Sequence, residues 1–281
     1  MAVLYKYSGA GNDFVVLDGR SEDVGHYREA GVIRSLCSRE DGFRAADGRI
    51  GADGLMILSA ADGYDFSMEF YNPDGSSGMM CGNGGRCIVA FSSFLGLVPA
   101  DGKVFRFVAA DGEHTGEIVS SEGDVATVRL GMIDCSEYNS VLDGWFLNTG
   151  TRHFVKFVDD VESLDIESEG KRYRWDEKFA PLGVNANFVQ RLADGSLKVR
   201  TFEKGVEAET LACGTGLTAC AIASWLDSHE GPRETAASSC GSVRVALHAR
   251  IADLKVDFKA PERADAAFKE VFLTGPAELV R

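Results

Sequence analysis

Apolar and polar residues alternate through most of the chain. The runs FVVLDG, GLMILSA, DFSMEFYN, KVFRFVAA, EHTGEIVS, ATVRLGM and GWFLNTG carry the period-2 signature of β-strands, parted by Gly and Asp turns. HFVKFV, NANFVQRL, LKVRTFE, SVRVALHA, LKVDF and VFLTGPAELV continue the pattern through the second half. The clearest helices are HYREAGVIRSLCS, read as a surface helix, and the more apolar GRCIVAFSSFLGL and GLTACAIASWLDS. The last two each follow a Cys-Gly-x-Gly turn, at Cys81 and at Cys213.

That coincidence predicts an internal duplication. Cys81 and Cys213 lie 132 positions apart, as do Phe70 in EFYNPDG and Phe202 in RTFEKGV. GNDFVVLDG and NANFVQRL add an Asn-x-Phe-Val strand to each half, at a different spacing that implies loops of changed length. At 281 residues two domains are expected over one. Two similar α+β domains facing each other would bring both cysteine turns to one cleft.

Composition narrows the partners. The net charge of −14 would repel a polyanion, so nucleic acid is not expected. The opening MAVLYKYSGAGND has neither a basic stretch nor an apolar core of a signal peptide, and no apolar run approaches the ~18 residues that span a bilayer. A cytoplasmic protein without a membrane partner is expected. Seven cysteines, an odd number with no CxxC pair, then read as free thiols. Cys37, Cys87, Cys135, Cys220 and Cys240 are expected to be inert, with Cys87 and Cys220 in the core. The five histidines match no zinc spacing, so no metal is expected.

Cys81 and Cys213 differ from the other five. A cysteine at a helix N-terminus sits among backbone N–H groups that lack helical partners, at the positive end of the helix dipole. That setting favours thiolate. The N–H groups of Gly82, Asn83, Gly214 and Thr215 would form a cradle for a carboxylate. Two sulfurs and an anion cradle suit proton exchange at the carbon beside a carboxylate, with a thiolate removing the proton from one face and a thiol delivering one to the other. A Cys-His hydrolase with His153 as base would leave the duplication unexplained, and a binding module would have no use for two intact cysteine turns.

With these residues in place, the sequence resembles the diaminopimelate epimerase family over nearly its whole length. KYSGAGNDFVVLDG, IGADGLMIL, FYNPDGS, CGNGGRC, GVNANFVQ, FEKGVEAET and ACGTG occur in the family's order. The resemblance implies two pseudo-symmetric domains, each a mixed sheet curled around a central helix, here residues 1–130 with 271–281 and residues 131–270, with the active site in the cleft between them. It implies a cofactor-independent isomerase that converts LL- to meso-diaminopimelate, a small amino-acid substrate, in lysine and peptidoglycan precursor biosynthesis, and a homodimer. By position, Cys81 and Cys213 resemble the acid/base pair, and His153 and Glu203 the groups that tune it. Asn12, Asn72, Gly82, Asn83, Asn185, Glu203, Lys204, Gly214 and Thr215 resemble the substrate-binding residues. Three positions depart from the family: Lys204 stands in place of Arg, Thr151 in place of Asn, and Gly54 where many members have Gln. The first two surround the distal end of the substrate, where Arg152 or Asn185 could assist Lys204. The runner-up reading is therefore a two-cysteine racemase of another amino acid, with a basic or imidazole side chain.

Overall fold

The computed structural model describes residues 2–21, 23–229, 241–263 and 266–281, so Cys240 lies outside the described residues. The chain divides into two compact units, Met1–Leu130 with Gly275–Arg281, and Gly131–Thr274. The return to the first unit begins at Gly275, a few residues after the expected 271.

The first unit carries β1 (Tyr5–Gly9), β2 (Asn12–Asp18), α1 (Ala30–Cys37), β3 (Leu55–Ser59), β4 (Phe66–Tyr71), α2 (Gly82–Phe94), β5 (Val104–Ala109), β6 (Gly112–Glu122) and β7 (Val125–Gly131). The second carries β8 (Glu137–Val141), β9 (Gly144–Asn148), β10 (Arg152–Phe157), α3 (Ile166–Arg174), β11 (Asn185–Arg191), β12 (Leu197–Glu203), β13 (Ala208–Thr210), α4 (Gly214–Ser228), β14 (Ser242–His248) and β15 (Asp253–Lys259). The last strand, β16 (Lys269–Leu279), passes from the second unit into the first.

In the first unit the strands pair in chain order from β1 to β7, then to β16, which also pairs with β1 through Tyr7 and Leu279. The sheet therefore closes on itself. In the second unit the order runs β16, β15, β14, β12, β11, β10, β9, β8, and the Cys135–Phe268 bridge ties the approach to β8 back to that of β16. Each unit repeats one plan. A helix crosses over between parallel strands (β2 to β3, β10 to β11), an antiparallel partner follows (β4, β12), and a second helix crosses to the next parallel strand (β5, β14).

The second crossover helix is the core of each unit. In α2 every residue from Gly82 to Ser92 is buried, and in α4 Gly214 and Gly216–Ser224 are buried. A helix apolar on all sides is stable only with protein around it. Ile88, Val89 and Phe91 are fully buried, and each such side chain contributes about 1.5–3 kcal/mol relative to leaving it in water. By contrast α1 is amphipathic, burying only Ile33 and Cys37.

The repeat corrects one expectation. Phe70 and Phe202 sit on the equivalent strands β4 and β12, as their spacing implies. The two Asn-x-Phe-Val strands are not equivalent: β2 corresponds to β10, and β11 to β3. Each Asn-x-Phe-Val stretch follows a tight turn and has an apolar face, and that local pattern recurs at two different places in the plan.

Candidate active site

Cys81 is the N-cap of α2 and its sulfur accepts the N–H of Gly84 at 3.2 Å. The next side chain along, Asn83, donates through Nδ2 to Asn12 Oδ1 at 2.7 Å. Asn12 in turn donates to Asp53 Oδ2 at 2.9 Å, which fixes which way its amide faces. Asp53 and Asp13 share Arg39, and Asp13 also pairs with the buried Lys6 at 2.8 Å. Burial works against the Asp13 carboxylate, but the bonds from Arg39 and Lys6 prevail and hold its pKa below the usual range. On its other side Asn83 accepts from Arg86 Nη2 at 2.8 Å. Asn12 and Asn83 are thus held in one chain of polar groups from Asp53 to Arg86.

Asn72 lies in the turn after β4, where its amide donates to Ser76 Oγ at 3.0 Å and its backbone N–H to Ser76 O at 2.9 Å. Gly54, where many family members have Gln, is packed by an aromatic ring: a Cβ there would lie 2.5 Å from Phe70 Cε2.

Cys213 is the N-cap of α4, and its sulfur lies 3.5 Å from the Thr215 Oγ1 of the first turn. Thr215 belongs to a cluster of hydroxyls about His153. His153 Nε2 lies 2.9 Å from Thr215 Oγ1 and 2.8 Å from Thr151 Oγ1, while Thr149 Oγ1 donates to the Thr215 carbonyl at 2.8 Å. On the other side of the ring Asn187 Nδ2 lies 3.2 Å from His153 Nδ1, and Thr201 donates to Asn187 Oδ1 at 2.9 Å. With Nδ1 accepting from Asn187, the ring proton belongs on Nε2, which donates into the hydroxyl cluster. His153 therefore reaches Cys213 through Thr215. Gly216 makes room for the arrangement, since a Cβ there would lie 2.6 Å from Asn187 Oδ1.

His153 is fully buried, and desolvation lowers its pKa to about 3. The folded protein keeps the ring neutral, whereas the unfolded chain takes up a proton below its ordinary value near 6.5. Stability carried by this group is therefore present above pH 6.5 and lost as pH falls toward 3. Urea titrations at stepped pH should show this acid limb, and His153→Gln should flatten it.

Glu203 ends β12, where burial pushes its carboxyl pKa upward. No hydrogen bond joins it to His153. Lys204 is exposed, and its backbone N–H donates to Asn185 Oδ1 at 2.9 Å, while Asn185 Nδ2 donates to the Arg152 carbonyl at 3.0 Å. Arg152 joins this group through its carbonyl, and its side chain turns elsewhere. Along β10 its side chain takes the face of Phe154 rather than that of His153, and its guanidinium lies 5.0 Å from the Phe146 ring centroid. Two-residue alternation along a strand decides this face.

Asn187, Thr149, Thr201, Asp53 and Arg86 were not among the expected site residues. Asn187 had a signal, because NAN places two amides two residues apart on one face of a strand. Cys37, Cys87, Cys135 and Cys220 are buried free thiols. Among the described residues no group of three His, Cys, Asp or Glu is placed to hold a metal ion, and no helix is long and apolar enough to cross a membrane.

The family model described as diaminopimelate epimerase matches residues 4–133 and 145–263. The chain belongs to the diaminopimelate epimerase family. A diaminopimelate epimerase of Flavobacterium psychrophilum is 37% identical over 277 residues, covering 99% of this chain and 97% of the relative. One from Chlorobaculum tepidum is 36% identical and covers 97% of each chain. One from Aquifex aeolicus is 41% identical over 79% of this chain and 81% of its own. Among solved structures, a Bacillus anthracis phenazine biosynthesis protein of the PhzF family superposes with a TM-score of 0.71 at 11% identity, covering 99% of this chain and 96% of its own. A probable proline racemase from Agrobacterium radiobacter gives 0.63 at 16%, covering 100% and 92%. These two likenesses establish the two-domain mixed-sheet fold that the diaminopimelate epimerase family shares with them.

Proposed function

We infer that the chain is an isomerase that epimerises LL-diaminopimelate to the meso form, with Cys81 and Cys213 as its acid/base pair. The observation that carries the mechanism is the repeated cysteine N-cap, at equivalent places in the two units, each at the start of a buried helix. One sulfur, as thiolate, takes the α-proton and becomes a thiol. The other, as thiol, returns a proton to the opposite face and becomes the thiolate. No redox step is involved, and the pair ends with its protonation exchanged. Negative charge gathering on the α-carboxylate is stabilised by first-turn N–H groups at Gly82, Asn83, Gly214 and Thr215. Asn12 is pre-oriented by Asp53, and Asn185 by Arg152 and Lys204, so each presents a fixed amide to substrate. Glu203 meets the amino end, and His153 acts on Cys213 through Thr215.

Neither a metal nor pyridoxal phosphate is needed for this cycle. The test is incubation of purified, metal-free, colourless protein with LL-diaminopimelate in heavy water. Deuterium should enter at the α-carbon as the meso isomer forms; a strict requirement for added pyridoxal phosphate would refute the two-thiol mechanism. The described free thiols fit a reducing compartment, which supports a cytoplasmic setting. A homodimer rests on family membership, and light scattering decides it.

A further inference from the structure

The two cysteine turns follow one plan but differ in charge. One turn into α2, Arg86 is fully buried. Its Nη1 donates to Gly82 O at 3.1 Å, its Nη2 to Asn83 Oδ1 at 2.8 Å and its Nε to Pro276 O at 3.3 Å. All three acceptors are neutral, and among the described residues no carboxylate lies within ion-pair distance of the guanidinium. The position 132 residues on is Thr218, whose buried hydroxyl donates to Gly214 O at 3.0 Å. The same helical carbonyl is thus satisfied by a cation in one unit and by a neutral hydroxyl in the other.

A buried cation without a counter-charge is costly, and a protein normally supplies an anion nearby. Several titratable groups on the elements around α2 are already matched or are held uncharged by burial. Cys87 is fully buried, and desolvation drives its thiol well above the ordinary range. Tyr7 on β1 is likewise pushed up by burial. Asp13 on β2 is already matched by Lys6 and Arg39. Glu117 on β6 pairs with Lys103 and Arg129, and His114 on β6 with Asp111. Cys81 already accepts a helix N–H, and the carbonyl of the residue after it touches the guanidinium. In the second unit the sulfur of Cys213 meets the hydroxyl of Thr215, behind which stands the neutral ring of His153, and the place of Arg86 is taken by the uncharged Thr218.

We propose that Arg86 is a positioning residue that supplies the counter-charge holding Cys81 as the resting thiolate, with Cys213 as the resting thiol. The proposal rests on the two-cysteine reading above and assigns its starting protonation state. Asn83, held by Arg86, links this charge to the amide of Asn12.

Thiol reactivity across pH tests this in the full-length protein, without any turnover. Wild-type protein is alkylated with limiting iodoacetamide from about pH 5 to about pH 9, and modification of Cys81 and Cys213 is read on separate peptides by mass spectrometry. Cys81 should titrate about one to three units below Cys213. Arg86→Gln should raise the Cys81 midpoint toward the ordinary thiol value of about 8.5 and leave that of Cys213 in place. Arg86→Lys keeps the charge and should restore most of the difference. A wild-type Cys213 that titrates at or below Cys81 overturns the proposal, as does a folded Arg86→Gln with an unmoved Cys81. If Arg86→Gln does not fold, the wild-type comparison alone decides. The heavy-water assay judges the epimerase reading independently, so failure of one is distinguishable from failure of the other.

Discussion

Replacing Cys81 with alanine is expected to abolish epimerisation, lowering kcat by at least ~10³-fold, and Cys213→Ala should do the same. Inversion needs a proton carrier on each face of the α-carbon, and either substitution leaves one face without its group. Neither change should unfold the protein. Both sulfurs are only part-buried, and each helix start keeps its backbone bonds, Gly85 N–H to Cys81 O at 2.8 Å and Leu217 N–H to Cys213 O at 2.8 Å. The double variant should be little worse than either single one, because groups that act as a unit do not lose activity additively. Exchange separates this mechanism from a single-nucleophile reaction. Each single variant retains one sulfur, so in heavy water it should exchange the α-proton of at most one stereoisomer, without inversion. Exchange and inversion surviving together in either variant would remove that cysteine from the reaction.

Both cysteine-capped helix starts were legible because local rules and the duplication point to the same residues. A cysteine before Gly-x-Gly and a continuous apolar run reads as a helix start, and the repeat of that pattern marks it as more than packing. The elements that escaped lack such agreement. Helix α3 reads IESEGKRYR, mostly polar with an internal glycine, and it buries Ile166, Gly170, Tyr173 and Arg174. Gly170 is there for close approach, since a Cβ would lie 2.3 Å from Phe202 Cβ; a local pattern cannot contain that tertiary fact. Strand β8, mostly exposed, has no apolar alternation to detect. The support behind the site was harder to read still. Asp53 and Thr201 matter through bonds to residues 41 and 14 positions away, and nothing in their neighbourhood in the chain announces those partners. Arg86 reads as a polar position in an apolar helix, and only its burial reveals the charge problem it poses.

The enzyme is expected to prefer LL-diaminopimelate over lysine by about 10⁴-fold in kcat/KM, because lysine lacks the second carboxylate and a site built for such a group is left unpaired without it. On the proposed reading Lys204 is the cation that meets that carboxylate. It follows Glu203 at the end of β12, its backbone is pinned by Asn185 Oδ1, and its side chain remains exposed. A lysine offers a point charge where an arginine offers a two-pronged fork, so the contact should be weaker than the family's usual one yet real. A charge-assisted hydrogen bond contributes roughly 1.5–3 kcal/mol, or about one to two decades. Lys204→Met should therefore lower kcat/KM for LL-diaminopimelate by about 10- to 100-fold. It should change α-proton exchange on lysine little, since that substrate never used the contact. Lys204→Arg should be tolerated or improve turnover. The discriminating measurement is the ratio of the two substrates in wild type and Lys204→Met, followed by deuterium uptake. A ratio near unity in wild type would argue for a basic amino acid as the substrate while leaving the two-thiol chemistry intact. A large ratio that Lys204→Met does not reduce would move recognition of the distal carboxylate to another residue.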